Sequence, residues 1–360
     1  MTKLTLRTLS VRGTPRELGQ AQGEALREPI AAFVAQRLEA LRGYLGERGE
    51  SARYDEFVAV GKACLEAAHR FDPAGSEEHD AIADAAGIAR ELLYAACNMT
   101  DVRDVLVLPA RPDREGCTSV LLPKSHTKQG QIVVGQTWDL NPTDLDFVVG
   151  VHRKPTQGPE TWSVTCVGAL SLMGMNEHGV SVGTTNIKTR ASRVGVGYLS
   201  ILHRALNQRS FTDAAQVVRN APRAAAHTYW LASAEQAILF ETDPDLVVER
   251  ALLDDALVQT NHCQGRELAG REGEAQSASS RARLLRAERV LATTDHDLDS
   301  VRALFADRAD GVDSINRYAE DAQGTTTNAC LVCCPATRDV LACRGPADRG
   351  EWQKLEFEAR

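Results

Sequence analysis

The hydrophobic period of this chain changes at Cys117, and that change limits what it can fold into. Before it, apolar residues recur at helical spacing. Thr14-Pro15-Arg16-Glu17 supplies a capping residue, a proline at the first helical position and an acid close behind. Amphipathic runs follow from about Arg16 to Leu45, from Tyr54 to His69 and from Glu77 to Ala96. Arg111-Pro112-Asp113-Arg114-Glu115-Gly116 then reads as an exposed polar linker. From Cys117 onward the period is about two residues, as in half-buried strands.

The predicted strands are Thr118–Leu122, Gln131–Thr137, Phe147–Arg153, Trp162–Val167, Leu170–Met175, Val180–Asn186, Thr228–Ser233, Ala237–Thr242, Leu246–Arg250, Leu257–Thr260, Thr327–Cys333 and Asp339–Arg344. Hairpin-type turn signals such as Asn176-Glu177-His178-Gly179 and Thr337-Arg338-Asp339 join several of them. Helices cluster at Tyr198–Gln208 with Thr212–Arg219, and at Ser279–Ala292 with Leu298–Ala306. Gly265 to Ser280 is polar and rich in small residues, which predicts a mobile loop. Hairpin-rich strands with clustered helices imply an α+β fold of two stacked antiparallel sheets with helices outside.

Composition narrows the function. At 360 residues the chain can bury a large core, as one big domain or two. Its formal charge is -8 and its pI about 5.7, with no long basic run, so nucleic acid and anionic membranes are poor partners. The start has no apolar stretch of signal-peptide length and no segment reaches membrane-spanning length, which reads as a cytoplasmic protein. The nine cysteines are an odd number in a large chain, which argues against a disulfide framework. Cys330, Cys333 and Cys334 contain a C-x-x-C, but residues i and i+3 of a strand point to opposite faces. No second Cys or His pair stands at zinc spacing, so no metal and no cofactor are expected.

Chemistry concentrates at Gly116-Cys117. If the turn after Leu122 centres near residues 127 to 128, antiparallel pairing sets residue 117 opposite roughly residue 138. Asp139, in Gly135-Gln136-Thr137-Trp138-Asp139, then returns beside Cys117. A thiol there can attack the Gly116 carbonyl, giving an N-to-S acyl shift and a hydrolysable thioester. Glycine at 116 leaves the carbonyl unblocked and tolerates strained dihedrals. Cleavage would free the Cys117 α-amine, whose ordinary pKa of about 7.7–8.0 suits a general base, with Asp139 to orient it. Residues 1–116 would then be a helical prosegment, and 117–360 the catalytic domain. His262 and His178 invite a Cys–His dyad, but a free amine makes a histidine base unnecessary; His178 reads as a surface turn residue, His262 as structural and Trp138 as core.

Gly116-Cys117-Thr118-Ser119 followed by Gly135-Gln136-Thr137-Trp138-Asp139 resembles the acyl-coenzyme A:6-aminopenicillanic-acid (isopenicillin N) acyltransferase family of N-terminal-nucleophile hydrolases, peptidase C45-like proteins. The run from Arg12 resembles the family's glycine-rich helix start. The segment from Gly174 resembles its central hairpin, and Thr260-Asn261-His262-Cys263 its Thr-Asn-His-aromatic segment. The resemblance implies a four-layer αββα sandwich, a nucleophile at Cys117, an orienting carboxylate at Asp139 and an oxyanion-hole amide at Asn261. It also implies a late arginine shortly before the strand beginning at Thr327. The nearest position holds Gln323, leaving Arg317 or Arg281 to fill the role.

The function expected is a self-cleaving cysteine amidohydrolase or acyltransferase. It would act on a small-molecule amide or acyl-coenzyme A, with the cleaved prosegment kept as an α/β heterodimer. The alternative is a non-catalytic, unprocessed binding or scaffold protein of the same fold.

Overall fold

The computed structural model describes residues 3–106, 116–273, 277–322 and 324–358. The chain begins with β1 (Arg7–Gly13) and continues through α1 (Pro15–Ala25), α2 (Arg27–Gly46), α3 (Tyr54–Phe71), α4 (Pro73–Ala86), α5 (Arg90–Cys97) and α6 (Met99–Val105). Thr14 caps α1 with a reciprocal capping box: its side chain accepts from the Glu17 amide, and Glu17 accepts from the Thr14 amide. The single run expected from Arg16 to Leu45 breaks at Leu26, whose φ of -120° and ψ of 20° are not helical. The run expected over Glu77–Ala96 begins earlier, at Pro73, and is stopped by Gly87 in the left-handed region at φ 74°. α1 and α4 touch through glycines. A Cβ on Gly19 would stand 2.1 Å from the Glu78 carbonyl oxygen, and one on Gly23 2.5 Å from that of Ile82. This close approach is what the glycine-rich start of α1 allows.

After Gly116 come β2 (Gly116–Leu122), β3 (Val133–Leu140), β4 (Val148–Pro155), β5 (Thr161–Cys166), β6 (Met173–Asn176) and β7 (Ser181–Asn186). Then follow α7 (Tyr198–Leu206), α8 (Phe211–Asn220), β8 (His227–Ala232), β9 (Ala237–Thr242), β10 (Val247–Ala251), β11 (Leu257–Gln259), the short α9 (Arg266–Ala269), α10 (Ala278–Leu291), α11 (Leu298–Phe305), β12 (Thr326–Cys334), β13 (Asp339–Arg344) and β14 (Gln353–Lys354). The segment expected to be a loop from Gly265 to Ser280 therefore holds α9, and its end is the first turn of α10, where Ser280 is buried.

Two sheets form: an eight-stranded one in the order β1-β4-β5-β6-β7-β8-β9-β10 and a six-stranded one in the order β11-β2-β3-β12-β13-β14. All pairings are antiparallel except that of β1 with β4, which is parallel. β1 was not expected, because seven residues beginning with Arg7-Thr8 carry little apolar signal. It also means that the N-terminal segment is helical with one edge strand.

The strand period sorts side chains between layers. On β2, Val120 and Leu122 pack with Ala287, Leu291, Val301 and Phe305 under α10 and α11, whereas Leu121 and Cys117 belong to the cluster between the sheets. On β8, Tyr229 and Leu231 pack with Ile201 and Val218 beneath α7 and α8, whereas Trp230 faces the other sheet. Helices, sheet, sheet and helices make the four-layer αββα sandwich that the resemblance implied. Gln136 fastens the two sheets: its amide nitrogen donates to the Thr184 carbonyl at 2.7 Å, and its oxygen accepts from Thr184 N–H and Trp230 Nε1–H, each at 2.8 Å.

The N-terminal segment is tied to the eight-stranded sheet by a buried ion pair and a buried hydrogen bond. Glu78 of α4 meets Arg153 of β4 at 2.7 Å, and Asp101 of α6 meets His227 of β8 at 2.6 Å. Among the described residues no helix is long and apolar enough to cross a membrane.

Candidate active site

Neighbouring strands of the six-stranded sheet place the reactive groups. In the β2–β3 pair Cys117 lies opposite Trp138 and Gly116 opposite Asp139, the register that hairpin counting predicted. Asp139 projects to the helix side of the sheet, where Thr327 Oγ1 of β12 donates to its Oδ1 at 2.8 Å. Next to it the β3–β12 ladder slips: Asp139 pairs with Thr327 but Trp138 with Ala329, leaving Asn328 as an extra residue. Asn328 repairs the gap with its side chain, accepting from Leu140 N–H at 3.0 Å and donating to the Asn141 carbonyl at 3.1 Å. Such bulges re-aim side chains next to active sites.

Two buried arginines face this point. Arg317 Nε stands 3.7 Å from Asp139 Oδ2. It is anchored by Nη1–H donation to Thr325 Oγ1 at 2.9 Å and by Nη2–H donation to Ser279 Oγ. Arg283, on α10, donates from Nη1 to the Cys117 carbonyl and to Thr118 Oγ1, and from Nη2 to Asn261 Oδ1 at 2.9 Å. Burial and the nearby Arg317 cation push the Arg283 guanidinium below its ordinary range, against the pull of Asp139 and Cys117. Burial raises the Asp139 carboxyl, while Arg317 and then Arg283 hold it back.

Asn261 follows β11, and its orientation is fixed by partners that cannot exchange roles. Its Oδ1 accepts from the Cys117 backbone N–H at 2.8 Å and from Arg283, both obligate donors. Its Nδ2 donates to the Asn186 carbonyl at 2.9 Å. The amide oxygen therefore holds the nitrogen of the Gly116–Cys117 bond, and among the described residues Nδ2 keeps a second hydrogen to donate. Its backbone is pinned to α10 as well, donating to Ser280 Oγ at 2.9 Å.

Gly116 is required by crowding. A Cβ there would stand 2.6 Å from Arg317 Nη1 and 2.9 Å from Asp139 Oδ2. Residues 111–115 of the expected linker lie outside the described residues; Gly116 itself is buried as the first residue of β2.

Of the expected arginines, Arg317 is brought to the site, Arg281 is exposed on α10, and Gln323 lies outside the described residues. Sequence reasoning missed Arg283. Two residues along a helix turn a side chain by roughly 200°, so Arg283 faces inward where Arg281 faces out. The signal was present: Ser280, Arg283, Ala287 and Leu291 make a buried stripe, and a cation within an apolar stripe needs a buried partner. His178 is exposed in its turn, and His262 meets Ser280 Oγ at 2.7 Å, bracing the segment against α10. Burial lowers the His262 pKa.

A narrow cleft of about 30 Å³ opens at Cys117, lined also by Thr100, Trp138, Asp139, Leu140, Leu172, Thr184, Asn186, Tyr198 and His227. Trp138 is thus both core and cleft wall. With Leu172 and Tyr198 it also borders a second small hollow lined by Phe33, Cys97 and Cys166. Among the described residues no three His, Cys, Asp or Glu side chains gather as a metal site. Cys330 packs under α10 and α11 while Cys333 packs between the sheets, the opposite faces expected of that spacing.

The sequence matches the acyl-coenzyme A:6-aminopenicillanic acid acyl-transferase family over residues 125–347. The chain belongs to that family. The chemistry for which that family is named is acyl transfer. The matched stretch includes Asp139, Asn261, Arg283 and Arg317, and begins after Cys117. No curated protein matches the chain. Among solved structures it is similar to a penicillin V acylase from Agrobacterium tumefaciens, with TM-score 0.44 and 11% identity over 66% of this chain and 86% of that one. It is also similar to the R18L variant of the conjugated bile acid hydrolase from Clostridium perfringens, with TM-score 0.45 and 11% identity over 67% of this chain and 97% of that one.

Proposed function

We propose that this family member cleaves its own backbone before Cys117 and then works as a cysteine N-terminal-nucleophile amide hydrolase or acyltransferase. The observation that carries the reading is the 2.8 Å hydrogen bond from the Cys117 nitrogen to Asn261 Oδ1, made inside a cage of Asp139, Arg283 and Arg317. A strand cysteine with only a structural role has no need of such a cage.

In the first step the Cys117 sulfur attacks the Gly116 carbonyl carbon. The C–N bond breaks as the C–S bond forms, and the thiol proton ends on the Cys117 nitrogen. Water then hydrolyses the thioester, leaving a Gly116 carboxylate and a restored thiol. The freed α-amine stays against Asn261 Oδ1 and becomes the general base within the same residue.

In turnover the amine takes the thiol proton and the sulfur attacks the acyl carbonyl of an amide or an acyl-coenzyme A. The second Nδ2 hydrogen of Asn261 stabilises the oxyanion, a role whose loss costs about 10²–10³ in rate. The amine returns its proton to the leaving group, and water or an acceptor amine resolves the thioester. Asp139, with Arg317 beside it, keeps the local field balanced as charge moves. The N-terminal segment remains bound as the partner chain after cleavage, because β1 and the Glu78–Arg153 and Asp101–His227 pairs hold it to the catalytic sheet.

The test is to mix the protein with a set of acyl-coenzyme A thioesters and acyl amides, quench in acid and weigh the fragments. An acyl mass on the fragment that begins at Cys117, absent from Cys117→Ala, is the expected result. A protein that takes up no acyl group from any donor contradicts it.

A further inference from the structure

His227 was singled out by neither motif nor spacing, yet it borders the cleft at Cys117. It is the first residue of β8 and pairs with Asn186, whose carbonyl receives Asn261 Nδ2. It therefore stands one strand beyond the groups that hold the Cys117 nitrogen. The side chain is 3% exposed.

Its orientation is locked from two sides. Nε2 lies 2.6 Å from Asp101 Oδ1, and a carboxylate can only accept there, so Nε2 carries a proton. Asp101 is itself held, since its Oδ2 accepts from the Tyr198 backbone N–H at 2.9 Å. The ring lies on Tyr198 with centroids 4.5 Å apart and planes 21° from parallel. What remains is Nδ1, buried and with no hydrogen-bond partner among the described residues. Native structures rarely leave a buried ring nitrogen unpaired without a reason. With a proton held on Nε2 by Asp101, Nδ1 is the ring nitrogen left to present a lone pair, fit to accept from an N–H or O–H.

We propose that His227 is a substrate-binding residue. Its Nδ1 accepts a hydrogen bond from a hydroxyl or amino group on the substrate's acyl part, within a few bonds of the carbonyl that Cys117 attacks. The favoured substrates are hydroxyacyl or aminoacyl amides and thioesters in preference to plain acyl ones. Asp101 is the positioning residue. It lies on α6, on the other side of the Gly116–Cys117 bond, so the segment before the cleavage point sets substrate choice as well as stability. This rests on the cleft at Cys117 being the substrate site proposed above, and the experiment separates the two.

The probes are mandelamide, phenylglycinamide and phenylacetamide, which share a ring and differ at one carbon by a hydroxyl, an amino group or hydrogen. Binding is read without turnover, from the ¹⁵N resonances of His227 in labelled wild-type protein assigned through His227→Phe. Mandelamide or phenylglycinamide should move the Nδ1 resonance and bind about tenfold more tightly than phenylacetamide, as expected for one buried hydrogen bond. His227→Phe, which keeps the ring stack, should bring the three to equal affinity. Asp101→Asn should shrink the preference and shift the population of the two ring tautomers, which a merely structural role would not do. An Nδ1 resonance indifferent to all three amides, or a preference unchanged in His227→Phe, overturns the proposal. Turnover of the matching p-nitroanilides, followed separately, reports on the catalytic reading: binding with a shifted Nδ1 but no turnover would remove the enzyme and leave the recognition site.

Discussion

The two sheets meet the same cleft with different equipment. The six-stranded sheet brings Cys117, Asp139 and Asn261, and α10 and the chain before β12 add Arg283 and Arg317, so charge is concentrated around one peptide bond. The eight-stranded sheet brings Thr184, Asn186 and His227, with Thr100, Tyr198 and Asp101 beside them, so that side offers hydrogen bonds and ring faces. The difference teaches a division of work. In the proposed reaction, groups on the first side touch the bond being broken, and groups on the second, drawn partly from the N-terminal segment, touch what is attached to it. Substitutions on the first side should stop the reaction, and those on the second should change its choice of substrate.

The largest effect should come from Asn261→Ala, which removes both the hold on the Cys117 nitrogen and the remaining Nδ2 donor. A loss of about 10²–10³ in kcat is expected, measured on any substrate the protein accepts, with little change in relative preference. A loss confined to KM would move Asn261 to the recognition side and break the comparison.

Arg283→Met should come next. It removes the donor to the Cys117 carbonyl, Thr118 Oγ1 and Asn261 Oδ1, at about 1–3 kcal/mol for each group left buried and unpaired. Denaturant unfolding measures it, and intact mass should show slowed cleavage of whatever folds. Unchanged cleavage would mean that the bonds from Arg283 to the Cys117 carbonyl and Asn261 are structural only.

Gln136→Leu tests the seam between the two sides. Trp230 Nε1–H and both backbone groups of Thr184 lose their partner, at about 1–3 kcal/mol for each group left unpaired and buried. Stability should fall while the order of substrate preference stays. A change in preference with unchanged stability would show that the seam itself reads the substrate.

The smallest effect concerns pH. Burial lowers the pKa values of His79 and His203 from the ordinary 6.5, and both lie where the N-terminal helices meet α7 and its surroundings. As pH falls through 6.5 the unfolded chain takes up protons that these folded rings refuse, so their contribution to stability is present above that value and is lost below it. The stability difference between wild type and His79→Gln should therefore shrink from pH values near 7.5 to values near 5.5. A difference that grows on acidification contradicts the burial of His79.

Much of the first side was legible in the sequence, because it rests on local arithmetic. Strand period and turn position fix the Cys117–Trp138 register, and Asp139 follows from it. The same counting could not reveal the extra residue at Asn328, since a bulge is set by what packs beside it. Arg283 was hidden because a helix surface arginine and a buried one look alike until the partner strands are placed. His227 was hidden more deeply: its meaning depends on Asp101, 126 positions earlier and across the cleavage bond. β1 escaped because a short edge strand draws its hydrogen bonds from β4 and needs little apolar sequence of its own.

The central claim is that Cys117 cuts the bond before it. Intact mass measured under denaturing conditions on freshly purified protein tests it most directly, since a break after Gly116 divides the 360 residues into pieces of 116 and 244. The account predicts those two masses from the native chain, eluting together before denaturation, and one undivided mass from Cys117→Ala. A single undivided mass from the wild-type protein, persisting through incubation at neutral pH, would contradict it.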